Sequence, residues 1–157
     1  DEIFLMGKQR VFIGDLHLSL FTNKYVLSIA APILLNNQFT GVLAINLDAD
    51  KELFKITTDR TGLGETGEVY LVNKDNYMIT PSRFIDEGIL EQMVDLRYIE
   101  HFESSDTSLK AEINRVKNYR GIEVLNIHTH LPEMSWYLIA EINVCRVAEE
   151  EPEFLVK

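Results

Sequence analysis

The sequence predicts an α+β fold: PAS-like antiparallel sheets flanked by helices. Strand-like runs follow one another closely in the first third, and hairpin patterns recur in the middle and at the end. Helical stripes separate them. A length of 157 residues suits one ordinary domain, or two small lobes sharing a connecting helix. With 46% hydrophobic and 25% charged residues, the balance is that of a globular chain.

Val11 to Ser19 reads as the first strand and ends at the turn-like Thr22-Asn23-Lys24. Tyr25 to Leu35 is the second, closed by Asn36-Asn37-Gln38, and Phe39 to Leu47 is the third. Connections of a few residues make these three an antiparallel meander. Asp48 or Asp50 is placed to cap a helix over Lys51 to Ile56, with Leu53, Phe54 and Thr57 on one face. Thr61 to Gly67 is a loop. Glu68 to Val72 and Tyr77 to Thr80 flank the turn Asn73-Lys74-Asp75-Asn76 as a hairpin. Ile89, Leu90, Met93 and Val94 form a helical stripe within Asp86 to His101, followed by a polar loop over Glu103 to Thr107. Leu109 to Tyr119 fits a helix through Leu109, Ile113 and Val116, and fits a short strand nearly as well. Ile122 to His130 and Trp136 to Ile142, joined by Pro132-Glu133-Met134, make a final hairpin.

Fifteen Lys and Arg against twenty-five Asp and Glu leave a net charge of −10, which repels phosphate backbones and excludes nucleic acid as a partner. The longest apolar stretch, Tyr25 to Leu35, is too short to cross a bilayer and contains Pro32. The chain opens on Asp1-Glu2-Ile3, with no Met and no basic leader, so it reads as a piece of something longer whose membrane anchor lies outside it. A single cysteine, Cys145, permits neither an internal disulfide nor a Cys-based zinc site.

Gly62-Leu63-Gly64-Glu65-Thr66-Gly67-Glu68-Val69 matches G-x-G-x-x-G-x-V to the letter. A dinucleotide fold needs that loop after a strand and before a helix, and here the order is inverted. A kinase needs V-A-I-K, H-R-D and D-F-G downstream, and none occurs. The glycines therefore loosen a connector, and phosphate binding is rejected. His128 and His130 share one strand face, but a metal needs a third ligand, and Glu123 and Glu141 are speculative ones. Solvent-facing histidines on an edge hairpin are the simpler reading. Cys145 has no evident His partner, and turn and cap roles account for Asp15 and Asp48. No catalytic residue, metal ligand or cofactor is expected, and the chain is not read as an enzyme.

Two stretches carry a resemblance. Gly62 to Phe84, with Gly64-Glu65-Thr66-Gly67-Glu68, Tyr70-Leu71-Val72 and Ser82-Arg83-Phe84, resembles a characteristic segment of Cache domains. These are PAS-like extracytoplasmic sensors of histidine kinases, chemoreceptors and diguanylate cyclases. Asn118-Tyr119-Arg120-Gly121 with Val124-Leu125, followed by Pro132-Glu133, Trp136, Leu138 and Ala140-Glu141-Ile142, resembles their closing hairpin. Ala31-Pro32-Ile33 and Gly41-Val42-Leu43-Ala44-Ile45 match shorter motifs, and the similarity runs from about Val11 to Val147.

The resemblance implies a double-Cache layout. Residues 1–50 would be the last strands of a membrane-distal lobe, its N-terminal part being absent from this chain. Residues 51–61 would be a connecting helix and 62–147 a membrane-proximal lobe, with a tail over 148–157 leading toward a transmembrane helix outside the fragment. It implies an extracytoplasmic module on a membrane receptor that binds a small molecule and transmits a change across the membrane. The rival is a module of such a receptor that binds nothing and serves dimerisation and transmission. A kinase or cyclase output, if any, belongs to the full-length parent.

In amine-sensing members of the family, a Tyr and an Asp two residues apart on one strand line the distal pocket, and a further Asp closes another strand. The resemblance places these on His17, Ser19 and Asn46, so both acidic anchors are replaced. A buried ammonium without a counter-charge costs several kcal/mol, which favours a neutral or carboxylate-bearing metabolite. His17 would gain charge on acidification and strengthen binding of an anion. The alternative is that these three line a filled core or face solvent. In the proximal lobe, Tyr70 and Arg83 are the candidates, with Met78 and Ser82 nearby. An arginine there also has a simpler use in pairing with local groups, and Tyr70 and Tyr77 also fit core or sheet-surface positions. Homodimerisation is left open.

Overall fold

The structure, a computed structural model, describes residues 2–97 and 113–144. It divides into two compact units between Ile56 and Thr57, each with its own antiparallel sheet.

The first unit begins with a helix, α1 (Glu2–Gly7), too short for its apolar spacing to register as a period in the sequence. Strands β1 (Phe12–Ile13), β2 (His17–Leu18), β3 (Tyr25–Leu35) and β4 (Gln38–Asp48) follow. Both β1 and β2 pair antiparallel with β3, and β4 pairs with it too, so the expected meander forms with β3 in the centre. The single first strand expected over Val11 to Ser19 is two short ones. Ile13 faces Ile29 and His17 faces Val26, so four steps along one chain meet three along the other. The extra residue is a bulge around Gly14 to Leu16. It buries Leu16 and leaves the Gly14 amide donating to the Ser28 carbonyl at 2.8 Å. The β3–β4 turn holds Asn36 and Asn37 at φ 50° and 62°, the left-handed pair that a two-residue hairpin requires.

On the buried face of β3 lie Val26, Ser28 and Ala30. α1 packs there so tightly that a methyl on Gly7 would stand 2.5 Å from the Ala30 Cβ, which only glycine avoids. After β4 the chain turns through Ala49, which is buried, into α2 (Leu53–Thr58), where Phe54 and Thr57 are buried as the sequence spacing requires. Phe54 lies 6.2 Å from the Tyr25 ring, tilted against it.

The second unit is a four-stranded sheet in the order β5 (Glu68–Val72), β8 (Trp136–Asn143), β7 (Glu123–Leu131), β6 (Asn114–Lys117). The segment left open between helix and strand is a strand over 114–117. The turn after β5 forms on Asn73, whose Oδ1 accepts from the amides of Asp75 and Tyr77. Its returning arm is shorter than expected, reduced to a bridge between Val72 and Met78.

The helix expected from Asp86 does not form within 86–97. Leu90 sits at φ 61°, outside the helical region, and the segment instead lies along Asn76 to Met78. The Met78 amide donates to the Gln92 carbonyl, Leu90 to Met78 and Val94 to Asn76. The apolar stripe is partly realised by this route: Val94 and Leu96 join Tyr70, Val72, Met78 and Ile139 in the core, while Met93 stays exposed. The remainder of that expected helix (98–101), the polar loop Glu103 to Thr107, the start of the 109–119 segment, Cys145 and the tail over 148–157 lie outside the described residues.

Candidate ligand-binding site

Partners directly opposite in an antiparallel pair share a face of the sheet. In the first unit His17 faces Val26, Val26 faces Asp48, and Ser28 faces Asn46. His17, Ser28, Asn46 and Asp48 therefore stand together on one face, around the apolar Val26. The structure brings two of the sequence candidates, His17 and Asn46, onto this face and does not bring the third. Ser19 has left the sheet for a turn: its amide donates to the Lys24 carbonyl, its carbonyl accepts from the Asn23 amide, and its Oγ accepts from the Thr22 amide at 3.4 Å. Hydroxyl-to-backbone bonding of this kind competes with strand continuation.

Asn46 and His17 are exposed, whereas Ser28 is buried. The Ser28 hydroxyl donates to Asn46 Oδ1 at 2.6 Å, and His17 Nδ1 lies 3.1 Å from the Asp15 carbonyl. Asp48 Oδ2 accepts from Lys24 Nζ at 2.8 Å, which holds the carboxyl below its ordinary range. Its Oδ1 is shielded from solvent with no hydrogen-bond partner among the described residues. Ser28 and Asp48 were not singled out from the sequence as binding residues. The register alone identifies them, through the even spacing 26, 28 and 46, 48. Imidazole, hydroxyl and amide can each donate or accept, so this face can hold a polar solute of either hydrogen-bonding sense.

The polar groups of the second unit are organised differently. One rung crosses all four strands: Glu68 faces Glu141, Glu141 faces Asn126, and Asn126 faces Asn114. Glu68, Glu141 and Asn126 are buried. Glu141 accepts from Tyr70 Oη at 3.0 Å and from Asn118 Nδ2, with Arg120 Nη2 at 3.9 Å. Glu68 accepts from Tyr119 Oη at 2.5 Å, Ser82 Oγ at 3.1 Å and the Arg83 amide at 3.1 Å. The Arg120 guanidinium stacks on Phe84, 3.7 Å from its centroid, and the rings of Tyr70 and Tyr119 meet edge to face at 5.7 Å. Burial, with the Glu68 hydrogen bond, pushes the Tyr119 phenol up, so it remains a donor.

Both sequence candidates in this unit are engaged. The Tyr70 ring is in the core and its hydroxyl is on Glu141. Arg83 Nη1 donates to the carbonyls of Gly64 and Gly67 at 2.7 and 2.9 Å, clamping the glycine loop. That loop follows α2 and precedes β5, the helix-then-strand order that excludes a dinucleotide cradle. A Cβ on Gly67 would fall 2.2 Å from the Leu63 carbonyl oxygen, which accounts for the glycine without any phosphate. Beside it, Arg60, Leu63, Glu68, Pro81 and Arg83 line a recess of about 20 Å³. That is room for a water, well below the ~300 Å³ of an ordinary ligand pocket.

The histidines match the edge reading in part: β6 pairs with β7 only over 123–126, so among the described residues His128 and His130 have β8 alone beside them. His130 is exposed, 4.8 Å from the Tyr137 ring, whereas His128 is half-buried with Nδ1 3.3 Å from Asn126 Oδ1. Among the described residues no group of three or more His, Cys, Asp or Glu side chains is placed to hold a metal ion. Nor is any helix there long and apolar enough to cross a membrane.

The family model of the Cache domain, dCache_1, matches residues 4–149. No curated protein matches the sequence. Among solved structures, the ligand-binding domain of Mlp24 with asparagine is similar with a TM-score of 0.65 at 18% identity, over 96% of this chain and 58% of that one. The ligand-binding domain of the Pseudomonas aeruginosa amino-acid chemoreceptor PctC, in complex with GABA, gives 0.65 at 14%, over 91% and 61%. The extracellular domain of mmHK1S-Z2, described as a histidine kinase, gives 0.65 at 13%, over 91% and 55%. This chain thus spans about three fifths of the length of these structures.

Proposed function

This chain is a member of the Cache domain family, and from that premise we propose that it is part of the extracytoplasmic sensing region of a membrane receptor. In this reading the first unit is the remainder of a membrane-distal lobe that binds a small metabolite. The second is the membrane-proximal lobe that passes the change onward. The observation that carries it is the set His17, Ser28 and Asn46 on one sheet face, with His17 and Asn46 exposed. A neutral or carboxylate-bearing solute fits these groups, with His17 favouring an anion as it gains charge.

Asp48 supports a second reading, in which the solute carries an ammonium group. Asp48 stands on the same face, two residues from Asn46, with Oδ1 shielded and unpartnered among the described residues. Lys24 already supplies one ammonium to this carboxylate. The similar structures with asparagine and with GABA bind amine-bearing solutes.

Sensing requires unequal affinity for two states, and a ligand at a hundred times its Kd stabilises the bound form by about 2.7 kcal/mol. A melting assay against neutral metabolites, carboxylates without an amine, and amino acids tests both readings. At least one saturable upward shift is expected, and Asn46→Leu should abolish it while leaving the fold intact, with the free chain melting somewhat lower because the buried Ser28 hydroxyl loses its acceptor. If only amine-bearing compounds shift the melt, and Asp48→Asn removes that shift, the second reading holds. No shift with any class sinks both.

A further inference from the structure

Glu68 and Glu141 are direct cross-strand partners on β5 and β8, and both are almost fully buried, at 3% and 4% exposure. Side chains directly opposite stand about 5 Å apart at Cβ, where like charges repel, and burial removes the water that would screen them. The charged and titratable groups facing the pair come from every neighbouring element. Tyr70 lies on β5, Tyr119 and Arg120 on the connection before β7, and Arg83 on the segment after Thr80. His128 lies on β7, one rung removed. Among the described residues, only Arg120 brings a positive charge near either carboxylate by its side chain, at 3.9 Å from Glu141. Arg83 reaches Glu68 through its backbone amide, with its guanidinium on the glycine loop. Two buried negative charges thus face one distant cation.

The two carboxylates are not equivalent. Glu68 accepts three hydrogen bonds that suit an anion. Among the described residues Glu141 accepts from two, Asn118 and the Tyr70 hydroxyl, and the latter can rotate and accept instead.

We propose that Glu68 and Glu141 form a proton-dependent latch in the second unit. Glu141 takes up a proton from solution in a mildly acidic medium, and β5 and β8 hold together more firmly in that state than at neutral pH. The proton on Glu141 Oε2 is donated to Tyr70 Oη, whose own hydrogen turns off the carboxyl, and Asn118 keeps its bond to Oε1. Burial holds the Glu141 carboxyl above its ordinary range, with Glu68 adding to the effect against Asn118, Tyr70 and Arg120. A folded form that binds the proton more tightly than the unfolded chain is favoured in acid. It loses that contribution as pH rises through the raised value. The latch concerns the second unit and stands whether or not the first unit binds a ligand.

The sole tryptophan, Trp136, is buried on β8 and reports this unit by fluorescence. Thermal melts of the whole chain from about pH 8 to about pH 5.5 should show the melting temperature rising by a few degrees. Glu141→Gln, which is neutral at every pH, should flatten that rise and match or exceed the unaltered chain near pH 8. His128→Asn should leave the rise in place. The latch is overturned if the unaltered chain and Glu141→Gln respond to pH in parallel, or if His128→Asn removes the rise. Should Glu141→Gln not fold, carboxyl-carbon NMR of the unaltered chain decides. A glutamate titrating well above the ordinary ~4.3 supports the latch, and every glutamate titrating at or below that value refutes it.

Discussion

The two sheets of this molecule carry similar polar chemistry and use it in opposite ways. In the second unit, Glu68, Glu141, Tyr70, Tyr119, Ser82 and Asn118 are turned inward and bonded to one another. In the first, His17 and Asn46 are exposed, and Asp48 keeps a carboxylate oxygen without a partner among the described residues. A group already paired inside a fold has little left to offer a visitor, because taking it away leaves a buried partner unsatisfied at a cost of about 1–3 kcal/mol. The first sheet therefore keeps polar groups open to a solute. The second has its polar groups committed to its own interior.

The contrast is most strongly exposed in the hydrophobic positions. Ile139 is fully buried in the second unit, and replacing it with alanine should cost about 2–5 kcal/mol. Ile45, half-exposed in the first, should change stability by no more than about 0.5 kcal/mol on the same replacement. Equal losses in chemical denaturation would erase the distinction between the sheets. A smaller effect is expected at Tyr119. Tyr119→Phe leaves the buried Glu68 Oε1 without its phenol donor and should cost about 1–3 kcal/mol by the same measurement. A neutral result would mean that the inward network is looser than its distances imply. The smallest effect lies on the surface. Arg97 holds the Asp95 carboxyl at about 2. Arg97→Gln should return its NMR midpoint towards the ordinary ~3.9, with the melting point unchanged at neutral pH, because both side chains are exposed.

Much of the fold was legible because strands and turns carry local signals. The runs Tyr25 to Leu35 and Trp136 to Ile142, and the turns at Asn36 and Asn73, follow from alternation and from asparagine chemistry in single stretches of chain. The helix expected from Asp86 failed for a non-local reason. The backbone groups of Asn76 to Met78 offered that segment hydrogen bonds which no helical period can announce. The candidate site was legible in part. His17 and Asn46 were reached by matching strands, but Ser28 and Asp48 become visible only once the pairing register is known. Ser19 does not join that face because β2 ends one residue before it. In the second unit, Tyr70 and Arg83 were noticed as residue types, but the groups that occupy them, Glu141 and the glycine-loop carbonyls, are distant in sequence and carry no local signature.

The bulge between β1 and β2 sets the parity of everything after it. Phe12 and His17 are five positions apart, an odd number, so an unbroken strand would aim them in opposite directions. The one surplus residue restores them to the same side, opposite Ala30 and Val26. Excising Asp15 alone would remove the surplus and leave an even spacing, so an unbroken strand would still set His17 opposite Val26. The parity belongs to the bulge as a conformation: drawn flat into a regular strand with every residue kept, the same chain would turn the imidazole away from Asn46 while Phe12 kept its seat.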